Sequence, residues 1–264
     1  MRQRHLWGEA MSMSPRLLRP RATGFNPKSI SGLQAWYDAA DSSTLFQNSD
    51  GTSAVAATDD PVGYWGDKSG NGRNLTQTTN NNRPLYKPAS RNGKGDLLFD
   101  GTDDKFAVTS ASRLDITNDF TCIAMLQNTS GSGSYLSLGR ASGTNGITLY
   151  TNAGVDDYRA ILKATGAWAT DFVLSPNPVG RTSPRRVAVI RNGAAMTLGV
   201  SGFSEVSITG SAGPITYNGT QLQIGGPNDG HWAGNISEIL IWNKALSASE
   251  RTAAQNYISK KWGL

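Results

Sequence analysis

Cysteine is almost absent from this 264-residue chain, and so are long apolar stretches. Cys122 is the only cysteine, which excludes a fold held together by disulfides. The longest uninterrupted apolar run has five residues, Cys122 to Leu126, whereas a helix that crosses a bilayer needs roughly 20. The first 28 residues contain no apolar segment of the kind that a secretory signal requires. We therefore expect no membrane span, no disulfide framework and no export signal.

Residue types that carry acid–base or nucleophilic chemistry are also scarce. Glycoside hydrolysis usually needs two carboxylates that face one bond, yet there are only four glutamates, and none has a second acid two residues away: Glu9, Glu205, Glu238 and Glu250. The two histidines are His5 and His231, and no G-x-S-x-G, G-x-x-x-x-G-K-[ST], C-x-x-C or H-E-x-x-H motif is present. These absences predict a protein that is not an enzyme.

Net charge is confined to the N-terminus. Residues 1–28 contain six basic side chains and one acid, whereas residues 29–264 contain 19 basic and 19 acidic ones. The N-terminal segment has no sustained apolar periodicity, so we expect it to lack a core of its own and to form an extended arm. Three roles remain open for it: a solvated tail, a nucleic-acid-binding arm and an anchor to other proteins. Six dispersed cations favour the protein anchor, with these candidate contacts: Arg2, Arg4, Leu6, Trp7, Arg16, Leu17, Leu18, Arg19, Arg21 and Phe25.

After residue 28 the sequence is typical of a β protein. Glycine makes up about a ninth of the chain, and short apolar runs alternate with Asn-Gly, Asp-Gly and Gly-Gly turns. Twelve runs are predicted strands: 33–37, 97–99, 106–108, 120–126, 135–138, 147–150, 158–162, 187–190, 196–200, 206–208, 222–224 and 236–242. Asn192-Gly193 predicts a type I′ hairpin. This pattern favours two antiparallel sheets packed face to face.

A single helix is predicted at the C-terminus, over residues 247–262. Ser247 and Glu250 have the spacing of a capping box. Apolar residues then recur at intervals of three and four, through Ala254 and Tyr257, and Gly263 provides a stop. The chain is thus divided into an arm, residues 1–28, and one domain, residues 29–264, that ends in this helix.

Several blocks of the sequence resemble a known family. They occur in this order: LQAWYD at 33–38, WGDKSGNGRNL at 65–75, LFDGTDD at 98–104, GNISEILIWNKAL at 234–246, and the helix that ends in KWG at 261–263. Together they resemble bacterial and phage domains of the concanavalin A-like lectin/glucanase superfamily, the laminin-G-like jelly rolls. The resemblance implies a jelly-roll sandwich with a concave face that often binds glycans and sometimes holds calcium. The E-x-D-x-x-E motif of the superfamily's glucanases is missing.

The same blocks have a structural interpretation of their own. Trp36, Trp65 and Trp242 lie in strand-like segments and are predicted to be core residues whose indole N–H groups pair with the backbone. Asp67 opens a turn in which Asp and Asn side chains bind local N–H groups. Glu238 is expected to be structural rather than catalytic.

Metal and sugar sites are less determined by the sequence. Four aspartate pairs resemble the oxygen-rich loops that calcium uses, so a calcium ion stays open as the one cofactor: Asp38/Asp41, Asp59/Asp60, Asp103/Asp104 and Asp156/Asp157. Sugar binding should rest on exposed aromatic rings flanked by hydrogen-bonding side chains. The candidates are Trp168 in one loop, and Trp232 with Asn228 and Asp229 in another.

These observations lead to one hypothesis and two alternatives. The fold is an all-β, two-sheet antiparallel jelly-roll sandwich with a short C-terminal helix and an N-terminal arm. We predict a structural protein of a phage-like virion, assembled in the host cytoplasm and acting outside the cell as a tail or head fibre, spike or decoration. Its partners would be other virion proteins, reached through the arm within an oligomeric assembly, and host surface polysaccharide. The alternatives are a carbohydrate-binding module of a bacterial surface protein and a glycan-degrading enzyme.

Overall fold

The computed structural model describes residues 24–108, 114, 116, 118–131, 133–138, 146–152, 154–163, 171–210, 214–215, 222–226 and 230–264. These residues form seventeen strands, one α-helix and three short 3-10 helices, at 27–29, 42–44 and 80–82. The helix is α1 (Ala248–Trp262). None of the described helices is both long and apolar enough to span a bilayer.

The strands follow one another through the whole described chain. They are β1 (Leu33–Asp38), β2 (Leu45–Phe46), β3 (Tyr64–Trp65), β4 (Leu75–Thr76), β5 (Leu85–Arg91), β6 (Lys94–Asp100), β7 (Phe106–Val108), β8 (Phe120–Asn128), β9 (Gly133–Leu138), β10 (Gly146–Asn152), β11 (Asp157–Lys163), β12 (Asp171–Leu174), β13 (Arg185–Asn192), β14 (Ala195–Val200), β15 (Val206–Thr209), β16 (Leu222–Ile224) and β17 (Ala233–Trp242). All twelve predicted runs are strands.

The strands build two antiparallel sheets, as predicted. Sheet A has the order β15-β14-β13-β8-β17-β6-β5, and β1 pairs with the C-terminal part of β17. Sheet B has the order β12-β11-β10-β9-β16-β7-β4-β3-β2. Alternate residues of both sheets point inward and form the main hydrophobic core, in which Tyr37, Trp65, Phe99 and Phe106 are fully buried.

A second apolar layer lies on the outer face of sheet A. There α1 contributes Ala254, Ile258 and Trp262, which pack with sheet residues that include Ile123 and Trp242. The helix begins at a complete capping box formed by Ser247 and Glu250 and ends at Gly263, whose φ of 79° is left-handed. The predicted helix is therefore confirmed, and it covers one face of the sandwich.

The type I′ hairpin lies at a different place from the predicted one. Asn92 and Gly93, between β5 and β6, both have positive φ, 48° and 69°, as this turn requires. Between β13 and β14, Asn192 pairs with Ala195 and only Gly193 has positive φ. The hairpin predicted at Asn192-Gly193 exists, but its two-residue loop is 193–194, so the predicted turn type is wrong.

The Asp67 turn is held as predicted and also anchors β1. Its carboxylate accepts the N–H groups of Ser69 at 2.8 Å, Arg73 at 3.0 Å and Trp36 at 3.0 Å. The tryptophan prediction needs correction. Trp65 and Trp242 are core residues as predicted, but no described residue accepts either indole N–H. The half-buried Trp36 donates its indole N–H to a side chain, Glu238, rather than to the backbone.

The boundary of the N-terminal arm lies earlier than predicted. Phe25 packs on Tyr257 of α1, with ring centroids 5.5 Å apart, and Asn26 caps the 3-10 helix Pro27–Ser29. Residues 25–28 thus pack as part of the domain, whereas the assignment of the half-buried Phe25 as a contact to another protein stays a prediction. The remaining predicted anchor residues lie outside the described part of the chain.

Candidate functional site

Outward-facing side chains of sheet B form one continuous row across the strands. Cross-strand partners project from the same face of a sheet. The register joins Phe46 to Tyr64, Tyr64 to Thr76, Thr76 to Ala107, Ala107 to Gln223, Gln223 to Ser137, Ser137 to Thr148, and Thr148 to Ile161. We call these residues the sheet B row. Their sequence neighbours, such as Leu45 and Trp65, fill the main core, so the row faces away from it.

Only one end of the sheet B row is accessible. Phe46, Tyr64, Thr76, Ala107 and Gln223 are all half-buried, whereas Ser137 and Thr148 are buried. At the accessible end, the rings of Phe46 and Tyr64 meet edge to face, 5.6 Å apart. Burial raises the pKa of the Tyr64 hydroxyl, so that hydroxyl stays protonated and can donate a hydrogen bond. The row offers aromatic surface beside hydroxyl and amide groups, the combination that orients a polar ligand with apolar faces.

The outer face of the central strands of sheet A has no such access, because α1 packs on it there. Beneath the helix Glu238 is fully buried and accepts four hydrogen bonds. Its Oε1 receives Trp36 Nε1 at 2.7 Å and the Tyr257 hydroxyl at 2.9 Å, and its Oε2 receives Lys261 Nζ and Trp262 Nε1, both at 2.7 Å. We call this cluster the Glu238 network. Its position confirms that Glu238 is structural.

Lys261 joins the Glu238 network to a second buried carboxylate. Its ammonium lies 2.5 Å from Asp38 Oδ1, and Lys68 binds Asp38 Oδ2 at 2.7 Å. Desolvation raises the pKa of Glu238, Asp38 raises it further, and Lys261 opposes both effects. These carboxylates lie beneath a helix and are fully paired, so they hold α1 to sheet A rather than act on a substrate.

The remaining described glutamates are also occupied. Glu205 binds Arg251 at 3.0 Å. Glu250 binds Lys244 at 2.7 Å and the Ser247 N–H at 2.9 Å, which lowers its pKa. Glu9 lies outside the described residues. Within residues 24–264 as described, no pair of accessible glutamates faces a common cleft.

The four predicted aspartate pairs separate into two kinds. In three of the pairs, every aspartate already has a partner within the protein. Five of the six bind a basic side chain and one accepts two backbone N–H groups: Asp38 and Asp41 bind Lys68, Asp59 binds Lys87, Asp156 binds Arg181, Asp157 binds Arg159, and Asp60 accepts the N–H groups. The pair Asp103/Asp104 instead joins Asp100, with one carboxylate oxygen of each within 4.8 Å of the others. Burial raises the pKa of Asp104 to about 7, and the neighbouring carboxylates add to the shift. This is the group whose oxygens suit a hard cation.

Of the predicted sugar-binding residues, the structure describes Trp232 alone. Trp232 is fully buried in the main core, edge to face with Tyr135 at 5.6 Å, so its ring cannot stack on a ligand and that assignment is wrong. The chain keeps it inside because a fully buried indole removes a large apolar area from water. Trp168, Asn228 and Asp229 lie outside the described residues.

Sequence reasoning missed Phe46 and Tyr64. Each belongs to a two-residue strand, β2 and β3, which is too short to show an apolar period. The only signal was an aromatic residue beside an apolar neighbour in Leu45-Phe46 and Tyr64-Trp65. Their common position on one face depends on the register of β2, β3 and β4.

Comparisons with known proteins agree with this architecture. No curated protein sequence matches the chain. Among solved structures, the binding domain of Paraclostridial Mosquitocidal Protein 1 shares 12% identity with a TM-score of 0.59, over 89% of this chain and 53% of that one. The binding domain of botulinum neurotoxin serotype D shares 12% identity with a TM-score of 0.56, over 83% and 51%. A Trypanosoma rangeli sialidase shares 14% identity with a TM-score of 0.53, over 88% and 33%.

These structural likenesses show the fold alone, because the identities are low, and this chain spans about half or less of each neighbour's length. The family comparison goes further. The laminin-G-like model, described as the concanavalin A-like lectin/glucanases superfamily, matches residues 100–250, which is more than half of the sequence. With the two-sheet sandwich and its C-terminal helix, this match confirms the resemblance read from the sequence: the chain belongs to the concanavalin A-like lectin/glucanase superfamily.

Proposed function

We propose that this chain is a non-enzymatic, lectin-like module that binds carbohydrate through the accessible end of the sheet B row. The observation that carries the proposal is the half-exposed pair Phe46 and Tyr64, beside Thr76 and Gln223 on one open sheet face. A pyranose presents an apolar face to an aromatic ring and hydroxyls to neighbouring polar groups. Membership of a superfamily that includes lectins supports the proposal.

The occupied carboxylates support a binding rather than a hydrolytic role. A glycosidase needs one acid to protonate the leaving group and a second carboxylate across the same bond. The accessible end of the sheet B row contains aromatic, hydroxyl and amide groups, which can orient a sugar but supply no such pair. A glycan-degrading enzyme remains the alternative. That alternative predicts that the full chain releases reducing ends from polysaccharide, whereas our proposal predicts no release.

The test of the binding proposal is a glycan array followed by titration of the full chain with the best glycan. Tyr64→Ala and Phe46→Ala should each weaken binding at least tenfold. The matched control is Phe203→Ala, which removes another half-buried ring, packed on the main core and below Arg185. Equal binding by wild type, both variants and the control would overturn the assignment of this face.

We also propose that the module is part of a phage-like particle, which it joins through residues 1–23 while the sandwich faces outward toward host surface polysaccharide. The support is that the net positive charge is confined to the N-terminal segment. Charge clustered on one segment attracts a partner of opposite charge to that segment. The particle would be assembled in the host cytoplasm and act outside the cell.

Deletion of residues 2–23 tests the anchor. The shortened chain keeps Phe25 and its contact with Tyr257, so it should fold and bind glycan as the full chain does, yet fail to enter particles. Normal incorporation of the shortened chain would contradict the anchor. Glycan binding by a full chain that enters no particle would favour a carbohydrate-binding module of a bacterial surface protein instead.

A further inference from the structure

A cleft of about 580 Å³ lies on the α1 side of the sandwich, remote from the sheet B row. It is bounded by the start of the domain, by the β5–β6 hairpin and by the C-terminal half of α1. Its lining residues are Gly24, Phe25, Asn92, Lys94, Ala253, Asn256, Tyr257, Lys260 and Lys261. We call it the helix cleft. Its volume lies within the range of small-ligand sites.

The walls of the helix cleft are fixed by contacts outside it. Tyr257 is held from below by its hydrogen bond to Glu238 and from the side by Phe25, 5.5 Å away. The hairpin wall is tied to the helix end, because Asn92 donates its side-chain N–H to the Lys261 carbonyl at 2.9 Å. A site whose walls are already positioned loses little entropy when a ligand binds.

The charge of the helix cleft is unbalanced. No aspartate or glutamate lines it. Lys261 is neutralised by Asp38 and Glu238, but within the described residues Lys94 and Lys260 have no carboxylate within ion-pair distance, and the structure gives neither side chain a hydrogen bond. Lys94 from β6 and Lys260 from α1 therefore line, without a described anionic partner, a cleft that is also lined by the rings of Phe25 and Tyr257. This arrangement favours an anion that also has an apolar face.

We propose that the helix cleft binds a carboxylated sugar residue of an acidic glycan. The carboxylate would lie between Lys94 and Lys260, and the apolar face of the ring would pack on Tyr257 and Phe25. Hydroxyl groups would pair with the amide side chains of Asn92 and Asn256. An aromatic floor with amide donors at its rim suits a rigid pyranose better than an extended acidic peptide, which would seek backbone partners.

The experiment is an NMR titration of the ¹⁵N-labelled full chain with methyl β-D-glucuronide, compared with the uncharged methyl β-D-glucoside. We expect amide shifts for residues 92–94 and 256–261, and at least tenfold weaker binding of the glucoside. Lys94→Gln/Lys260→Gln should weaken glucuronide binding at least tenfold. Both lysines lack partners, so this variant should fold normally. Lys28→Gln/Lys105→Gln removes the same net charge outside the cleft and should bind like wild type.

Three results would overturn the proposal. The first is equal affinity for the two methyl glycosides, and the second is an unchanged glucuronide affinity in Lys94→Gln/Lys260→Gln. The third is tighter binding of a hexaglutamate peptide than of the glucuronide, which would assign the cleft to a protein partner. The cleft and the sheet B row can fail separately, because Tyr64→Ala should abolish binding at the row and leave glucuronide binding at the cleft intact.

Discussion

The two sheets of this sandwich share one core but have opposite outer faces. Outward residues of sheet A, such as Ile123, Leu240 and Trp242, are apolar and buried beneath α1. Outward residues of sheet B at the accessible end are Thr76, Ala107 and Gln223, beside the aromatic pair. A sheet covered on both faces needs apolar residues at every position, whereas a sheet with one open face alternates. The helix thus decides which of the two sheets keeps an open outer face.

The two sides of the molecule also differ in their charged groups. Beneath α1 the Glu238 network places two carboxylates and one ammonium away from water. Such groups are costly to bury and remain only when every partner is present. At the crossover from sheet A to sheet B, Asp100, Asp103 and Asp104 bring three carboxylates together, and no described lysine or arginine pairs with them. Buried ion pairs therefore hold α1 on sheet A, whereas the Asp100, Asp103 and Asp104 carboxylates have no such partners among the described residues.

Among these changes, removal of the Lys261 ammonium beneath α1 should lower the free energy of unfolding most. Lys261→Met leaves Glu238 and Asp38 buried with one cation fewer, so we expect a loss of about 3–5 kcal/mol in the free energy of unfolding. Urea denaturation at pH 7 measures it. Lys260→Met is the matched control, because Lys260 is exposed and unpaired, and it should stay within about 0.5 kcal/mol of wild type.

The same variant should also have a distinct pH dependence. Burial raises the pKa of Glu238, and loss of the ammonium raises it further, so folded Lys261→Met keeps a proton that the unfolded chain loses above about pH 4.3. The variant should therefore lose stability as the pH rises from about 4 to 7. A difference from wild type that is equally large at both pH values would contradict this account.

Truncation of one outward residue on each sheet compares the two faces directly. Ile123→Ala removes a fully buried side chain between sheet A and α1 and should cost about 2–5 kcal/mol. Gln223→Ala, on the sheet B row, should change stability by no more than about 0.5 kcal/mol. Thermal and urea unfolding provide the measurement. Similar losses for the two variants would mean that the outer face of sheet B is also a packed interface.

The N-terminal cap of α1 should contribute less to the free energy of unfolding than the packed face of the helix does. Ser247→Ala removes the side-chain acceptor of the capping box, which receives the Glu250 N–H, and should lower stability by about 1 kcal/mol. Ser247→Asp keeps an acceptor at the same position and should restore most of that loss. An alanine variant as stable as wild type would show that packing of Ile258 and Trp262 alone holds the helix.

Calcium should produce the smallest effect, at the crossover from sheet A to sheet B. Asp100 ends β6, and Asp103 and Asp104 precede β7. Extracellular sites bind calcium with dissociation constants of about 10⁻⁴–10⁻³ M, so 1 mM CaCl₂ should add about 0.4–1.4 kcal/mol. Thermal unfolding with CaCl₂ and with EDTA tests this, and Asp104→Asn should abolish the difference. Identical unfolding in both buffers would contradict the calcium prediction.

Most of the fold could be predicted because it depends on local signals. The twelve predicted strands are each long enough to show an apolar run, and the helix carries its own cap and stop. Four of the five missed strands lack such signals, whereas β12 contains an apolar run at 172–174 and was still missed. Three of them, β2 to β4, have two residues each, and β5 contains Pro88, which weakens a strand prediction.

Less of the candidate site could be predicted from the sequence. Trp232 occurs in a polar, turn-like segment, which suggested exposure, but its ring is buried against Tyr135. Tyr64 showed no periodic pattern, yet the register with Phe46 and Thr76 places it on the open face. Lys94 and Lys260 of the helix cleft are 166 positions apart in sequence, and nothing local indicates that they share a cavity.

The sequence by itself determined the β-sandwich class, the C-terminal helix with its cap, and the restriction of net charge to the first 28 residues. These depend on the alternation of neighbouring side chains, on capping geometry and on composition, all of which act within a few residues. Only the tertiary structure decided which face is open, which carboxylates are buried together and where aromatic rings meet unpaired cations. Those properties arise from strand register and from the docking of α1, which join residues distant in sequence.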